Sequence, residues 1–322
     1  MDKIFFIGKL PSPIGGVTVF NQRKLEQLNE ESKDNNVILI EPNLKNIFKI
    51  IFSLKSEAIK HLSASNFIII LFAYLFSKPK TVIFYDHNSS RHFLSLVGWK
   101  KKVYLKFFLK CKNIMLVNEH LKENYKVFNR FQDINHKFET VSAFLPPAKA
   151  ELKDILHTYD PRLLELYKTT LKNQQRKIIL TSAFQPNLDA KGADIYTLGS
   201  LIDIFAKLAP KYKHDYFLIA IASYPETSFS QEIRAKVRSL TGKYDNLIFL
   251  ENDKKIWPLL QVTKLFIRAT TTDGDSVSLR EALYFGAPVL ASDVVPRPDG
   301  VMLFNLEKDD LSQKVDEYLG SY

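Results

Sequence analysis

The segment Arg268–Gly300, RATTTDGDSVSLREALYFGAPVLASDVVPRPDG, decides the fold. It follows a short apolar run, Leu265-Phe266-Ile267, and reads as strand, polar loop, helix, stop and strand. Asp275 or Ser276 can cap a helix that continues through Phe285, because a side-chain oxygen there accepts a first-turn N–H. Gly286 ends the helix, Pro288 forbids its continuation, and Val289-Leu290-Ala291 is strand-like. The first turn then presents the N–H groups of Ser276, Val277 and Ser278 at the positive end of the helix. That is an anion site of the kind that takes phosphate. Two carboxylates frame it: Asp273 in the loop and Glu281, eight positions later, about a turn and a half into the helix. Carboxylates only accept hydrogen bonds, which suits them to the hydroxyls of a ribose or a sugar.

Outward from this segment, both halves of the chain alternate strand and helix. Asp2–Gly8 is a first strand, Lys9–Gly16 a Pro/Gly loop and Val17–Asn29 a helix, the opening unit of a doubly wound α/β domain. Gly15-Gly16 lets the backbone approach a ligand closely, although no G-x-G-x-x-G or Walker loop is present. Asn36–Glu41 reads as a strand. Leu44–Leu62 reads as one helix, with Ile47, Ile50, Ile51, Leu54 and Ala58 on a face accompanied by lysines. Phe67–Leu71 and Thr81–Tyr85 read as buried parallel strands. Asp86-His87-Asn88 follows the second of these, at the strand end where open α/β sheets bind ligands, which singles out His87. His92–Lys112 interleaves lysines with Trp99 and Tyr104. The mixture suits an anionic membrane surface, and equally a core helix whose lysines reach out to water. Asn113–Val117 is a strand, and the double proline ending Thr140–Pro147 closes a first domain at residues 1–147. A second domain, 148–322, opens with a helical stretch over Leu152–Leu171 and continues with a strand at Lys177–Ser182 and a loop carrying Lys191-Gly192.

The residues Asp273, Gly274, Glu281, Ala282, Gly286 and Pro288 carry a resemblance. An acidic pair with seven residues between, then Ala and a Gly-x-Pro turn, resembles the signature of the family-4 retaining glycosyltransferases of the GT-B fold. Ser278–Leu283 and Ser292–Pro298 resemble a subgroup found in bacterial surface-polysaccharide assembly. The resemblance implies an α/β protein of two Rossmann-like domains facing a cleft. It assigns Glu281 to the nucleotide ribose and Asp273 to the donor sugar. Gly274, Asp275, Ser276, Val277 and Ser278 would form the turn and helix start that receive the diphosphate. Gly15 and Gly16 would offer backbone to the diphosphate or acceptor, and His87 would face the donor sugar. Lys191 stands in the place of a lysine that grips the diphosphate, but Phe184 or Gln185 stands where an arginine is expected, and the first acid is Asp where Glu is usual. Arg268, Lys191 and Arg297 are the candidate cations. The implied reaction moves a sugar from a nucleotide diphosphate donor to a glycan or lipid-linked acceptor with retained anomeric configuration. No cofactor or metal is expected, because the Asp-x-Asp at Asp273–Asp275 reads as a cap and half of an acidic pair. A non-catalytic sugar-nucleotide or glycan-binding subunit and a GT-B-like sugar-nucleotide epimerase are the other classes open.

Composition bounds these readings. At 322 residues and 46% hydrophobic the chain can bury two sizeable cores. The one cysteine, Cys111, cannot form an internal disulfide, which suits a reducing cytoplasm. A net charge of +10 attracts polyanions. No nucleic-acid signature accompanies it, neither paired Cys/His ligands nor an arginine-rich arm, so an anionic membrane surface ranks above nucleic acid. Lys3–Ile7 reads as a first strand and not as a signal sequence. The longest apolar run, Phe67–Phe76, has ten residues against the roughly 20 of a spanning helix. The expected place is the cytoplasm, with peripheral attachment to the inner membrane face.

Overall fold

Buried apolar strands organise the chain into two sheets, seen in a computed structural model that describes residues 3–32, 36–147, 151–173, 177–189, 191–252 and 254–321. The first sheet contains β1 (Ile4–Gly8), β2 (Val37–Ile40), β3 (Ile59–Ser63), β4 (Val82–Asp86), β5 (Asn113–Leu116) and β6 (Phe138–Thr140). The second contains β7 (Ile178–Ala183), β8 (Tyr216–Ile221), β9 (Leu247–Glu251), β10 (Thr263–Arg268), β11 (Val289–Ser292) and β12 (Val301–Phe304). Their orders are β2-β1-β3-β4-β5-β6 and β12-β11-β10-β7-β8-β9. Every pairing in both is parallel. Helices cover both faces of such sheets, which is why Ile178–Leu180 and Phe217–Ile221 are continuous apolar runs without alternation. This is the α/β class that the sequence implies. The chain divides into two units, one sheet in each: Met1–Ser12 with Gly16–Leu145, and Pro13–Gly15 with Pro146–Tyr322. Arg23 fastens the end of the first unit to its first helix, α1 (Gly16–Glu31), by donating from Nη1 to the Leu145 carbonyl at 2.7 Å.

Three elements differ from the sequence reading. The helix expected over Leu44–Leu62 stops early, as α2 (Ile47–Lys55), and Ile59–Ser63 is instead the strand β3, paired between β1 and β4. Its polarity hid it. The Lys60 side chain is buried and donates from Nζ to the Ser56 carbonyl and, at 3.2 Å, to Thr81 Oγ1. Burial lowers that ammonium to about 8, against an upward pull from Glu57. The strand expected at Phe67–Leu71 is part of a helix, α3 (Phe67–Phe76). Asn66 caps it, accepting the Ile68 N–H on Oδ1 at 2.8 Å. α3 packs between α2 and α4 (Gly98–Lys110) and buries Ile69, Ile70 and Ala73, while Ile68 and Leu75 stay exposed. In the second unit the expected helical stretch over Leu152–Leu171 is broken in two, Glu151–His157 and Pro161–Lys172, where Asp160 caps the second helix ahead of Pro161.

β3 also sets an acid limit on stability. His61 stacks between Phe6 and Tyr85 and its Nδ1 lies 2.8 Å from Tyr85 Oη; burial lowers its pKa to about 4. The unfolded chain therefore binds a proton near pH 6.5 that the folded chain refuses until about 4. Stability is complete above that window and falls as pH drops through it. Urea midpoints between pH 7 and 4 should decline for the wild type, and less steeply for His61→Gln; identical slopes would show that His61 stays uncharged for no energetic reason.

Candidate functional site

The site lies at the carboxyl ends of β10 and β11, where the chain leaves Arg268, crosses a polar loop and enters the helix Val277–Tyr284. Ser276 is extended and caps that helix, its Oγ accepting the Leu279 N–H at 3.2 Å. Of the two cap candidates the structure takes Ser276. Asp275 instead receives Arg280 Nε on both carboxylate oxygens at 2.6 Å. The N–H groups of Val277 and Ser278 have no carbonyl partner within their own helix, as at every helix start. Gly286 closes the far end at a positive φ of 68°, where a side chain would be strained.

Asp273 is the centre of a buried charge cluster. Arg268 donates to it from Nε (3.1 Å) and Nη2 (3.3 Å), and Arg297 from Nη1 (2.9 Å). Arg297 is held in turn by the Ser292 carbonyl at 3.0 Å and by Thr270 Oγ1 at 3.3 Å. Ser292 Oγ ties the loop to β11, donating to the Thr270 carbonyl at 2.8 Å and accepting the Thr270 N–H at 3.2 Å. The Arg268 guanidinium lies over the Tyr196 ring, 5.1 Å from its centroid. Burial would raise the Asp273 carboxyl, but Arg268 first and then Arg297 outweigh it and hold the group below its ordinary range. Burial likewise works against the Arg268 charge, and Asp273 and Tyr196 more than restore it. Two guanidiniums against one carboxylate leave one positive charge beside a helix N-terminus, a good setting for phosphate.

The structure thus gathers Arg268, Asp273, Arg297, Gly274, Asp275 and the Ser276–Ser278 turn into one place. The Gly274 N–H donates to Asp273 Oδ1 at 3.1 Å. Glu281 is buried on the same helix. Lys191 sits on an exposed turn shaped by Asp189, whose Oδ1 accepts the N–H groups of Lys191 (2.8 Å) and Ala193 (3.0 Å). That turn leads into a segment joined to the site loop, since the Thr271 N–H donates to the Ile195 carbonyl at 3.0 Å. Gly15 groups with this second unit, where a side chain on it would meet the Phe184 ring at 2.9 Å. Gly16 begins α1 in the first unit. There His87 follows β4, its Nε2 3.2 Å from Ser63 Oγ and its ring edge-on to Phe20 at 4.7 Å. Burial lowers its pKa to about 4, so the imidazole is neutral near pH 7. Tyr196, Thr270 and Ser292 support the cluster and escaped the sequence reading. Thr270 and Ser292 stand in the flanks of the decisive segment, but Tyr196 comes from far upstream with no local signal. Among the described residues no group of three or more His, Cys, Asp or Glu is placed to hold a metal ion.

No protein-family model and no curated protein matches the chain. Solved structures match it in fold. Anabaena Alr3699/HepE in complex with UDP-glucose is 12% identical at a TM-score of 0.62, covering 100% of this chain and 89% of its own. The trehalose-6-phosphate synthase OtsA is 12% identical at a TM-score of 0.65, covering 99% and 92%. A glycosyltransferase from Rickettsia africae is 16% identical at a TM-score of 0.59, covering 99% and 88%. At such identities the likeness shows the fold: the two-domain α/β build of GT-B glycosyltransferases.

Proposed function

We propose that this chain is a retaining glycosyltransferase that moves a sugar from a nucleotide diphosphate donor to a hydroxyl of a glycan or lipid-linked acceptor in surface-polysaccharide assembly. The Arg268–Asp273–Arg297 cluster beside the helix start at Val277 carries the reading. Loss of the nucleotide builds negative charge on the diphosphate. Preorganised N–H groups and guanidiniums aimed at that charge stabilise the transition state. The acceptor oxygen attacks the anomeric carbon on the face from which the phosphate departs. The bond from that carbon to phosphate oxygen breaks, the bond to the acceptor forms, and the leaving phosphate oxygen takes the acceptor proton. Glu281 holds the ribose and Lys191 adds a cation at the diphosphate. Asp273 orients the two arginines as well as meeting the sugar. In the first unit, neutral His87 offers a hydrogen bond to a sugar hydroxyl and Gly16 a close backbone approach. The support from fold is that structures of the same build were solved with UDP and UDP-glucose.

The proposed reaction needs no metal. Both carboxylates of the Asp-x-Asp are engaged by guanidiniums, Asp273 by Arg268 and Arg297, Asp275 by Arg280. Release of nucleotide diphosphate from a panel of sugar nucleotides, run with excess chelator, tests both claims. At least one donor should be consumed, and its turnover should survive the chelator. Complete loss in chelator, restored by manganese, would overturn the metal-free reading. Tight donor binding without turnover would mark a sugar-nucleotide-binding subunit, and an isomerised donor an epimerase.

A further inference from the structure

We propose that α2 and the turn leading into it dock the first unit on an anionic lipid bilayer through the exposed side chains of Leu44, Phe48 and Phe52. The helix buries Ile50 and Leu54 and turns Phe48 and Phe52 to solvent, and Leu44 stands exposed in the 3-10 turn Leu44–Asn46 just before it. Leu44 is 82% exposed, Phe48 81% and Phe52 74%. One exposed apolar side chain is ordinary; Phe48 and Phe52, four apart on α2, share one face, and Leu44 in the turn leading into it adds a third exposed apolar side chain. Lys45, Lys49 and Lys55 are exposed along the same stretch.

The stripe has a neighbour of the same chemistry. α2, α3 and α4 lead successively across the sheet from β2 to β5 in one direction, so right-handed crossovers place all three on one face. In a parallel sheet their N-termini share its carboxyl edge. Lys55 Nζ lies 5.4 Å from the Phe76 centroid, joining α2 to α3. At the start of α4, Trp99 packs edge-on against Phe67 of α3 at 5.1 Å, and Lys100 Nζ lies 5.1 Å from the same ring. Trp99 is 57% exposed, and Leu94 just before it is exposed as well.

Charge selects the occupant. Residues 44–112 carry thirteen Lys and Arg against two acids, Glu57 and Asp86, and so account for more than the whole chain's net charge of +10. Asp86 is buried and accepts from Tyr125 Oη at 3.0 Å, which leaves Glu57 as the acid at this surface. A second copy would bring the same positive field against itself. A bilayer with anionic headgroups offers an apolar layer for Phe48 and Phe52 and phosphates for the lysines. Such attraction needs no span, and among the described residues no helix is long and apolar enough to cross a membrane. The surface belongs to the first unit and Arg268–Gly300 to the second, and lipid docking stands whether or not the second unit transfers sugar.

Vesicles supply the test. The full chain should co-sediment with vesicles of phosphatidylcholine containing phosphatidylglycerol, weakly with phosphatidylcholine alone, and less as salt rises through the range that shortens the Debye length. Leu44→Ser/Phe48→Ser/Phe52→Ser should lose about tenfold or more in vesicle affinity, because burial of large apolar side chains supplies that part of the binding. Lys45→Gln/Lys49→Gln/Lys55→Gln should weaken binding and flatten its salt dependence. Trp99 gives an internal reading, since the other tryptophan, Trp257, is buried: emission should shift to the blue with anionic vesicles, and Trp99→Phe should abolish the shift. Nucleotide-sugar turnover in solution should be unchanged in the α2 variants, which separates failure here from failure of the proposed reaction. Equal binding by the triple-serine variant, indifference to lipid charge, or a dimer that the serine substitutions convert to a monomer without change in vesicle binding would each overturn the proposal.

Discussion

Asp273→Ala is expected to lower folding stability by about 3–5 kcal/mol and to abolish sugar transfer. Its carboxylate is the shared partner of Arg268 at 3.1 Å and Arg297 at 2.9 Å, with all three side chains largely out of water. Removing it leaves two buried guanidiniums with like charge and no anion between them. That penalty exceeds the net worth of an intact pair, because the desolvation of the arginines is no longer offset. Asp273→Asn keeps the shape and one acceptor and should fall between the two. Urea unfolding at neutral pH reads the difference. Acid adds a second signature: the arginines hold the carboxyl below its ordinary value, so its contribution is complete above the unfolded-state range near pH 4 and is lost only as pH falls through the lower folded value. An alanine variant as stable as the wild type would mean that the cluster holds nothing in place.

Glu281→Ala should reduce affinity for a nucleoside diphosphate by roughly 1.5–3 kcal/mol, about ten- to a hundred-and-fifty-fold, while the fold survives. The loss corresponds to a charge-assisted hydrogen bond from a ribose hydroxyl. Glu281 is buried on the helix whose N-terminus receives the diphosphate in the proposed complex, so the ribose and phosphate contacts come from one rigid element. Calorimetry with ribonucleotide and dideoxyribonucleotide on both proteins isolates the contact. The wild type should discriminate between the two nucleotides, and the variant should not. Unchanged affinity in a folded variant would remove the ribose role.

How much of this was legible in the sequence differs from element to element. The decisive segment was readable because each signal there is local: Gly286 and Pro288 end the helix, and a polar loop separates two apolar strands. Its cap was ambiguous because adjacent Asp and Ser are both good caps. Tertiary pairing decided it, drawing Asp275 to Arg280 and leaving Ser276 to close the turn. β3 was unreadable for the opposite reason. Lys60 and His61 look like a solvated face, and only their partners Thr81 and Tyr85, more than 20 residues on, make them tolerable inside a sheet. The apolar run of α3 has no periodicity to separate helix from strand; its length and the Asn66 cap were the usable clues. The stripe on α2 shows the limit of pattern reading. Nine residues with apolar side chains on two faces look like a buried helix, and the structure leaves one of those faces in solvent.

Retaining transfer is tested most directly by the anomeric proton of the product. A donor with an α-linked sugar on a nucleoside diphosphate, hydrolysed by the protein with water as acceptor, is followed by NMR before mutarotation of the released sugar scrambles the result. The proposed same-face attack predicts that the α anomer appears first, together with free nucleoside diphosphate. First appearance of the β anomer, or no release of nucleoside diphosphate from any donor in the panel, would contradict it.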